Sequence, residues 1–180
     1  MLRDRFDRSC AIALVLVVAA LVTLLAVAGR SDGRQTDGSL NRRIEQEMLT
    51  QARVAFVERH YGPVVAMRDG GELQSALLKL EELEREFPGE PHGAMLRGDL
   101  FHRLGLLDKA VASLAAAVRG NGDYVDPASP LNQRDLIAVT AEQGVPLLRD
   151  RLRGQPNDRA AEIALKDAYY LRSRLAGGCE

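Results

Sequence analysis

The chain has no tryptophan and few aromatic residues of any kind, with four phenylalanines and four tyrosines in 180 residues. Leucine and alanine supply most of its apolar side chains instead. This balance favours a core of packed helices over a β-sheet core, because strands are rich in aromatic and β-branched residues.

Cysteine is also scarce. Cys10 and Cys179 stand near opposite ends of the chain, so they cannot form a disulfide within one domain. Their spacing matches no metal site, redox pair or haem attachment motif. Cys179 is interpreted either as a free thiol on a terminal tail or as a partner in an intermolecular disulfide. The second interpretation requires an oxidising compartment.

The chain also has no large excess of positive or negative charge. The formal net charge is −1 and the isoelectric point is near 6.3. A nucleic-acid-binding domain usually carries a clear surplus of basic residues. We therefore predict no nucleic-acid partner.

Signatures of catalysis and of metal binding are absent from the sequence. No serine or cysteine lies in a nucleophile elbow, and Gly70-Gly71 lacks the spacing and the lysine of a phosphate-binding loop. The histidines His92 and His102 are not spaced as a pair of helical metal ligands, and only His60 and Asp99 could join them. We predict that the protein is not an enzyme and that it holds no cofactor and no metal.

The longest uncharged run is residues 10–29. About 20 apolar residues in a helix cover the hydrocarbon core of a bilayer, so the run predicts a transmembrane anchor. A cleaved signal peptide is the alternative, because Arg3, Arg5 and Arg8 precede the run and Ala26–Ala28 has the A-x-A pattern of a cleavage site. Signal peptides usually have a shorter apolar region than this one.

The orientation in the membrane is weakly encoded, since arginines both precede the run and follow it closely, at Arg30, Arg34, Arg42 and Arg43. A short tail ahead of a single span usually stays in the cytoplasm. We therefore predict a cytoplasmic tail at 1–9, a single pass through a bacterial inner membrane, and a soluble part in the periplasm.

Beyond the apolar run, the polar and glycine-bearing residues 30–39 predict a linker. A juxtamembrane helix is expected over 40–61, where apolar side chains recur at helical spacing: Ile44, Met48, Ala52, Ala55 and Phe56. Gly62-Pro63 should end or kink this helix, because proline lacks a backbone donor and clashes with the preceding turn.

From residue 57 onward the sequence has a 34-residue period, with corresponding positions at Val57, Pro91, Val125 and Arg159. A fixed period of this length is typical of a stacked array of helix pairs. The segment from Pro91 carries the pattern best, with small or bulky apolar groups and a turn glycine at the offsets that two packed helices need: Ala94, Gly98, Phe101, Gly105, Ala110, Leu114 and Ala117.

This segment resembles the tetratricopeptide repeat (TPR) family. The resemblance implies an all-α fold, a helix–turn–helix array over 57–175 with about three repeats and a capping helix from Arg159, followed by a flexible tail at 176–180. The repeat over 125–158 keeps the period but loses much of the pattern, and Pro146 is expected in or before the first turn of its second helix.

In TPR proteins the first helix of each pair lines a concave groove that binds a protein or peptide. Carried over by position, the resemblance implies a partner-binding groove formed by eleven side chains: Glu58, Tyr61, Val65, Arg68, His92, Met95, Asp99, His102, Arg103, Asp167 and Tyr170.

The predicted function is that of a membrane-anchored adaptor or scaffold, which binds a protein or peptide partner in assembly, secretion or chaperoning at the inner membrane. The alternative is structural self-assembly, in which repeat arrays stack end to end or the helix at 40–61 pairs with a second copy. The first hypothesis requires a heterologous partner, whereas the second requires only this chain.

Overall fold

A computed structural model of the chain describes residue 14, residues 17–23 and residues 33–177. This part of the chain is all-α, as the composition predicts, and contains no β-strand. Residues 17–23 are helical. A short 3₁₀ turn at Gly122–Val125 follows the fourth of six longer helices: α1 (Gly33–Asp69), α2 (Leu73–Glu86), α3 (Pro91–Arg103), α4 (Leu107–Gly120), α5 (Arg134–Gly154) and α6 (Arg159–Leu175).

The chain divides into two compact units, Met1–Ala52 and Arg53–Glu180. Within the described part of the chain, no helix combines the length and apolar character needed to cross a membrane. The predicted tail at 1–9, most of the predicted anchor at 10–29, and Cys179 lie outside the described residues.

Helix α1 is longer than the sequence predicts at both ends. Residues 33–39, expected in a linker, are helical, and the helix continues past Pro63 to Asp69. Pro63 deprives the Arg59 carbonyl of its usual hydrogen-bond donor, but both residues are exposed, so water can satisfy that carbonyl. Tyr61 and Val64 are fully buried on the other side of this turn and hold the helix against its neighbours.

Helices α1, α2 and α3 share one apolar cluster, built from residues that recur every three or four positions. Glu90 fixes the start of α3 because its side chain accepts a hydrogen bond from the His92 amide, and Pro91 occupies the first turn, where a missing N–H costs nothing. The buried members of the cluster are Tyr61, Val64, Ala76, Leu80, Leu83, Leu96 and Leu100.

Helix α4 is packed closely on two sides by glycine-bearing helices. A Cβ atom at Gly98 of α3 would lie 2.5 Å from Leu114 Cδ2, and one at Gly144 of α5 would lie 2.8 Å from Val111 Cγ2. Gly105, in the turn between α3 and α4, has φ +74°, the left-handed conformation that favours glycine. The small residues predicted for this helix pair therefore stand where the backbones approach or turn.

Helix α5 replaces the helix pair expected over 125–158. It runs without interruption from Arg134 to Gly154, with Pro146 in its interior, whereas the sequence predicts Pro146 at the start of a separate helix. The reason is the same as at Pro63: Pro146 and Glu142, whose carbonyl loses its donor, are both exposed. One helix thus occupies a stretch in which two were expected.

Helix α6 begins at the predicted residue, Arg159, because the Asp158 side chain accepts a hydrogen bond from the Ala161 amide, 3.0 Å away. It packs against both α4 and α5. Together with the 3₁₀ turn and Met95 of α3, these helices form the larger apolar cluster, whose biggest fully buried members are Met95, Leu114, Tyr124, Ile137, Leu148 and Leu171.

Candidate functional site

A half-enclosed cavity of about 260 Å³ lies in the second unit, and alternate helices of the array line it. Its walls come from α1, from α3 and from the start of α5 with the segment just before it, whereas α2, α4 and α6 contribute nothing. The lining residues are Val54, Val57, Glu58, Val65, Arg68, His92, Met95, Leu96, Asp99, Pro130, Leu131, Gln133 and Leu136.

Six of the eleven side chains predicted for the groove meet in this cavity: Glu58, Val65, Arg68, His92, Met95 and Asp99. They come from two helices that the chain order separates by α2. The cavity is therefore the candidate functional site.

Asp99 organises the charges at one end of the cavity. Its Oδ2 accepts a hydrogen bond from Arg68 Nη1 at 2.8 Å, and its Oδ1 accepts one from Arg103 Nε at 3.0 Å. Arg68 Nε also donates to Asp69 Oδ1 at 2.9 Å. This hydrogen bond and the negative charge of Asp99 raise the pKa of the Arg68 guanidinium, against the opposing effect of burial. The positive charges of the two arginines are therefore compensated by the negative charges of Asp99 and Asp69.

His92 contributes an uncharged imidazole to the wall. It is buried, its Nδ1 lies 3.3 Å from the Tyr124 hydroxyl, and its ring packs edge-on against Tyr61. Burial, reinforced by the positive charges of Arg53 and Arg68, lowers the pKa of His92 to about 4. The side chain is therefore neutral at pH 7.

Glu58 differs from the other charged residues of the cavity. It is exposed, and no cationic side chain in the described part of the chain forms an ion pair with it. The nearby Arg53 pairs instead with Glu90, with 2.5 Å between Nη2 and Oε1. Glu58 thus presents an uncompensated carboxylate at the cavity.

Tyr61 was predicted to line the groove, but it is not among the residues that line the cavity. It lies in the core between α1, α2 and α3 with none of its surface exposed, and its ring packs edge-on against His92, with 5.1 Å between the ring centroids. Its hydroxyl lacks a hydrogen-bond partner among the described residues. Burial, then the negative charge of Glu90, raises the pKa of Tyr61 to about 12.

Four further residues predicted for the groove lie elsewhere. His102 places Nδ1 3.0 Å from the Thr140 hydroxyl, and the exposed Arg103 reaches the cavity only through Asp99. Asp167 is buried and pairs with Arg119 at 2.5 Å, and the same guanidinium stacks 4.5 Å above the ring of Tyr170.

Asp167 and Tyr170 lie outside the cavity because α5 is a single helix. Along the chain, helices that line the cavity (α1, α3, α5) alternate with helices that do not (α2, α4, α6). Because one helix stands where two were expected, α6 is one of the helices that do not line the cavity, and it packs against α4. In its place α5 supplies Gln133 and Leu136 to the cavity.

Seven lining residues were not predicted from the sequence: Val54, Val57, Leu96, Pro130, Leu131, Gln133 and Leu136. A sequence signal existed for Val54, which lies one turn of helix before Glu58, and for Val57, which directly precedes it. None existed for the segment before α5, whose path depends on tertiary hydrogen bonds such as the one from the Gln133 amide to the Tyr124 carbonyl, 2.8 Å long.

The arrangement is suited to holding side chains. At about 260 Å³ the cavity is smaller than the roughly 300–1,000 Å³ of most small-molecule sites, and most of its lining residues are aliphatic. It brings together no nucleophile with a base, since its histidine bonds a tyrosine and its aspartate bonds two arginines.

Comparison with known proteins adds no family to this description. No protein-family model, no curated protein and no solved structure matches the chain.

Proposed function

We propose that this protein is an adaptor of the TPR type, which holds a segment of a partner protein in the cavity formed by α1, α3 and α5. The observation that carries the proposal is the alternation of the lining: the helices that reach the cavity are α1, α3 and α5, and none of α2, α4 and α6 does. Repeat arrays of helix pairs bind through such a surface, formed by one helix of each pair.

The spacing of the helices supports the repeat assignment. Helices α2 and α4 begin at Leu73 and Leu107, 34 residues apart. The close contact of Gly98 with Leu114 lies at the position where a helix pair of this family requires a small residue.

The proposal includes a membrane location, based on sequence alone. Residues 10–29 would anchor the chain in a bacterial inner membrane with the helical array in the periplasm, at a site of assembly, secretion or chaperoning. A reporter active only in the periplasm and one active only in the cytoplasm, each fused after Glu180, test this location. Activity of the cytoplasmic reporter alone would reverse the topology.

Self-association is the second candidate, and one observation favours it. In the first unit, Ile44, Met48 and Leu49 of α1 expose 48%, 65% and 65% of their surfaces. Exposed apolar side chains at helical spacing are typical of a helix that packs against another helix. Pairing of two copies through this segment would make the chain an oligomerisation module.

Site-specific photo-crosslinking in the cells that make the protein separates the two functions. A benzoylphenylalanine replaces Gln133 in the cavity, Met48 in the first unit, or Glu81 on the exposed side of α2 as the matched control. We expect a discrete adduct with a second protein from position 133 and none from position 81. An adduct of two copies from position 48, with nothing from position 133, would support self-association instead. The same adduct from positions 133 and 81 would contradict a partner site in the cavity.

A further inference from the structure

The lining of the cavity specifies the apolar part of its occupant. Between its charged ends the wall is formed by branched or thioether side chains, from Val54 and Val65 on α1 to Met95 on α3 and Leu136 on α5. Such a wall gains free energy by covering aliphatic side chains, at about 25 cal/mol for each Å² removed from water. A segment with leucine, isoleucine, valine or methionine side chains fits it.

The charges of the cavity disfavour an acidic occupant. Arg68 is the one cation among the lining residues, and both edges of its guanidinium are engaged, Nη1 by Asp99 and Nε by Asp69. His92 carries no positive charge at neutral pH, since its pKa is about 4. A carboxylate or phosphate on the partner would therefore share one guanidinium with two carboxylates of this chain, and Glu58 would repel it.

Glu58 supplies the remaining charge. It lies on α1 one turn from Val54, exposed and without an ion pair in the described part of the chain. With Arg68 and Asp99 compensating each other, the lining residues have a formal charge of −1 from Glu58 alone. The cavity thus offers an aliphatic wall with one carboxylate at its edge.

We infer that the occupant is an aliphatic protein segment carrying a lysine or arginine that pairs with Glu58. The inference rests on the proposed function, since it names the chemistry of the partner held in the same cavity. An ion pair at an exposed edge adds modest affinity and considerable selectivity, because a like charge at that position is repelled.

Two synthetic peptides test the inference directly. Both are 14-residue peptides of leucine and alanine with a fluorescent label, and they differ only in a central lysine or glutamate. Fluorescence anisotropy measures their affinity for the full-length chain in mild detergent, with detergent alone as the blank. We expect the lysine peptide to bind about five-fold more tightly, the size of one exposed charge pair relative to a like-charge contact.

Variants assign the selectivity to one residue. Glu58→Lys should reverse the preference, whereas Glu81→Lys, the same change on the exposed side of α2, should leave it unchanged. Equal binding of both peptides, or an unchanged preference in Glu58→Lys, would overturn the inference. Both variants change exposed side chains, so the fold is retained.

Two apolar variants keep this result separate from the proposed function. Val54→Ala and Leu136→Ala each remove part of the aliphatic wall, and circular dichroism checks their fold. If they weaken both peptides alike while Glu58→Lys has no effect, the cavity binds peptides but the basic residue is not part of recognition. If neither peptide binds the unaltered chain, both the inference and peptide binding in this cavity are wrong.

Discussion

Gly98 of α3 lies directly against Leu114 of α4, so closely that a Cβ atom at position 98 would stand 2.5 Å from Leu114 Cδ2 and 3.2 Å from the Leu114 amide nitrogen. The amide belongs to the backbone of α4 and cannot rotate away. The separation of the two helices therefore depends on the absence of a side chain at this position.

Gly98→Ala should destabilise the fold although alanine is the better helix former. The overlap with Leu114 costs about 1–3 kcal/mol, which exceeds the gain of about 1 kcal/mol in helix propensity. Urea unfolding followed by circular dichroism measures the change. Gly154→Ala is the matched control, because a Cβ atom there meets nothing within 4 Å, and its stability should not fall. Equal effects of the two substitutions would contradict the close packing of α3 on α4.

Tyr61→Phe and Tyr124→Phe should change the free energy of unfolding differently. Both tyrosines are fully buried, and burial raises the pKa of each to about 12. The Tyr61 hydroxyl has no hydrogen-bond partner among the described residues, so its removal should leave stability unchanged or raise it by about 1 kcal/mol. The Tyr124 hydroxyl bonds His92, and its loss should cost about 1 kcal/mol. Urea unfolding of both variants checks this, and a clear loss in Tyr61→Phe would reveal a bonded hydroxyl.

His92 should make the protein sensitive to mild acid. Its pKa of about 4 in the folded chain lies below the ordinary value of 6.5, chiefly because of burial, so the unfolded chain binds a proton here that the folded chain does not. The resulting stability is fully present above pH 6.5 and declines by about 1.4 kcal/mol per pH unit as the pH falls toward 4.

His92→Gln should remove this contribution. The difference in unfolding free energy between pH 7 and pH 5 should shrink by about 2 kcal/mol relative to the unaltered chain. Urea titrations at the two pH values measure it. If both proteins lose the same stability on acidification, the imidazole does not stay neutral in the fold.

The helix pair α3–α4 was predictable because its determinants are local. Proline and a capping glutamate begin α3, Gly105 makes the turn, and Gly98 permits the close contact, so each signal lies within a few residues of the feature that it sets. The period of the sequence adds the pairing of the two helices.

The continuous helices α1 and α5 were not predictable from Pro63 and Pro146. Whether an internal proline breaks a helix depends on the carbonyl four residues earlier, and water satisfies that carbonyl only if it faces outward. Exposure of Arg59 and Glu142 is a tertiary property that the local sequence does not encode. The misplacement of Asp167 and Tyr170 follows from the second of these prolines.

Helix α6 does not line the cavity, and this has a consequence for protein engineering. Because helices that line the cavity alternate with helices that do not, a helix grafted after Leu175 is expected to continue the lining of α1, α3 and α5. The cavity could then be extended by adding one segment, without substituting any of the residues that now line it.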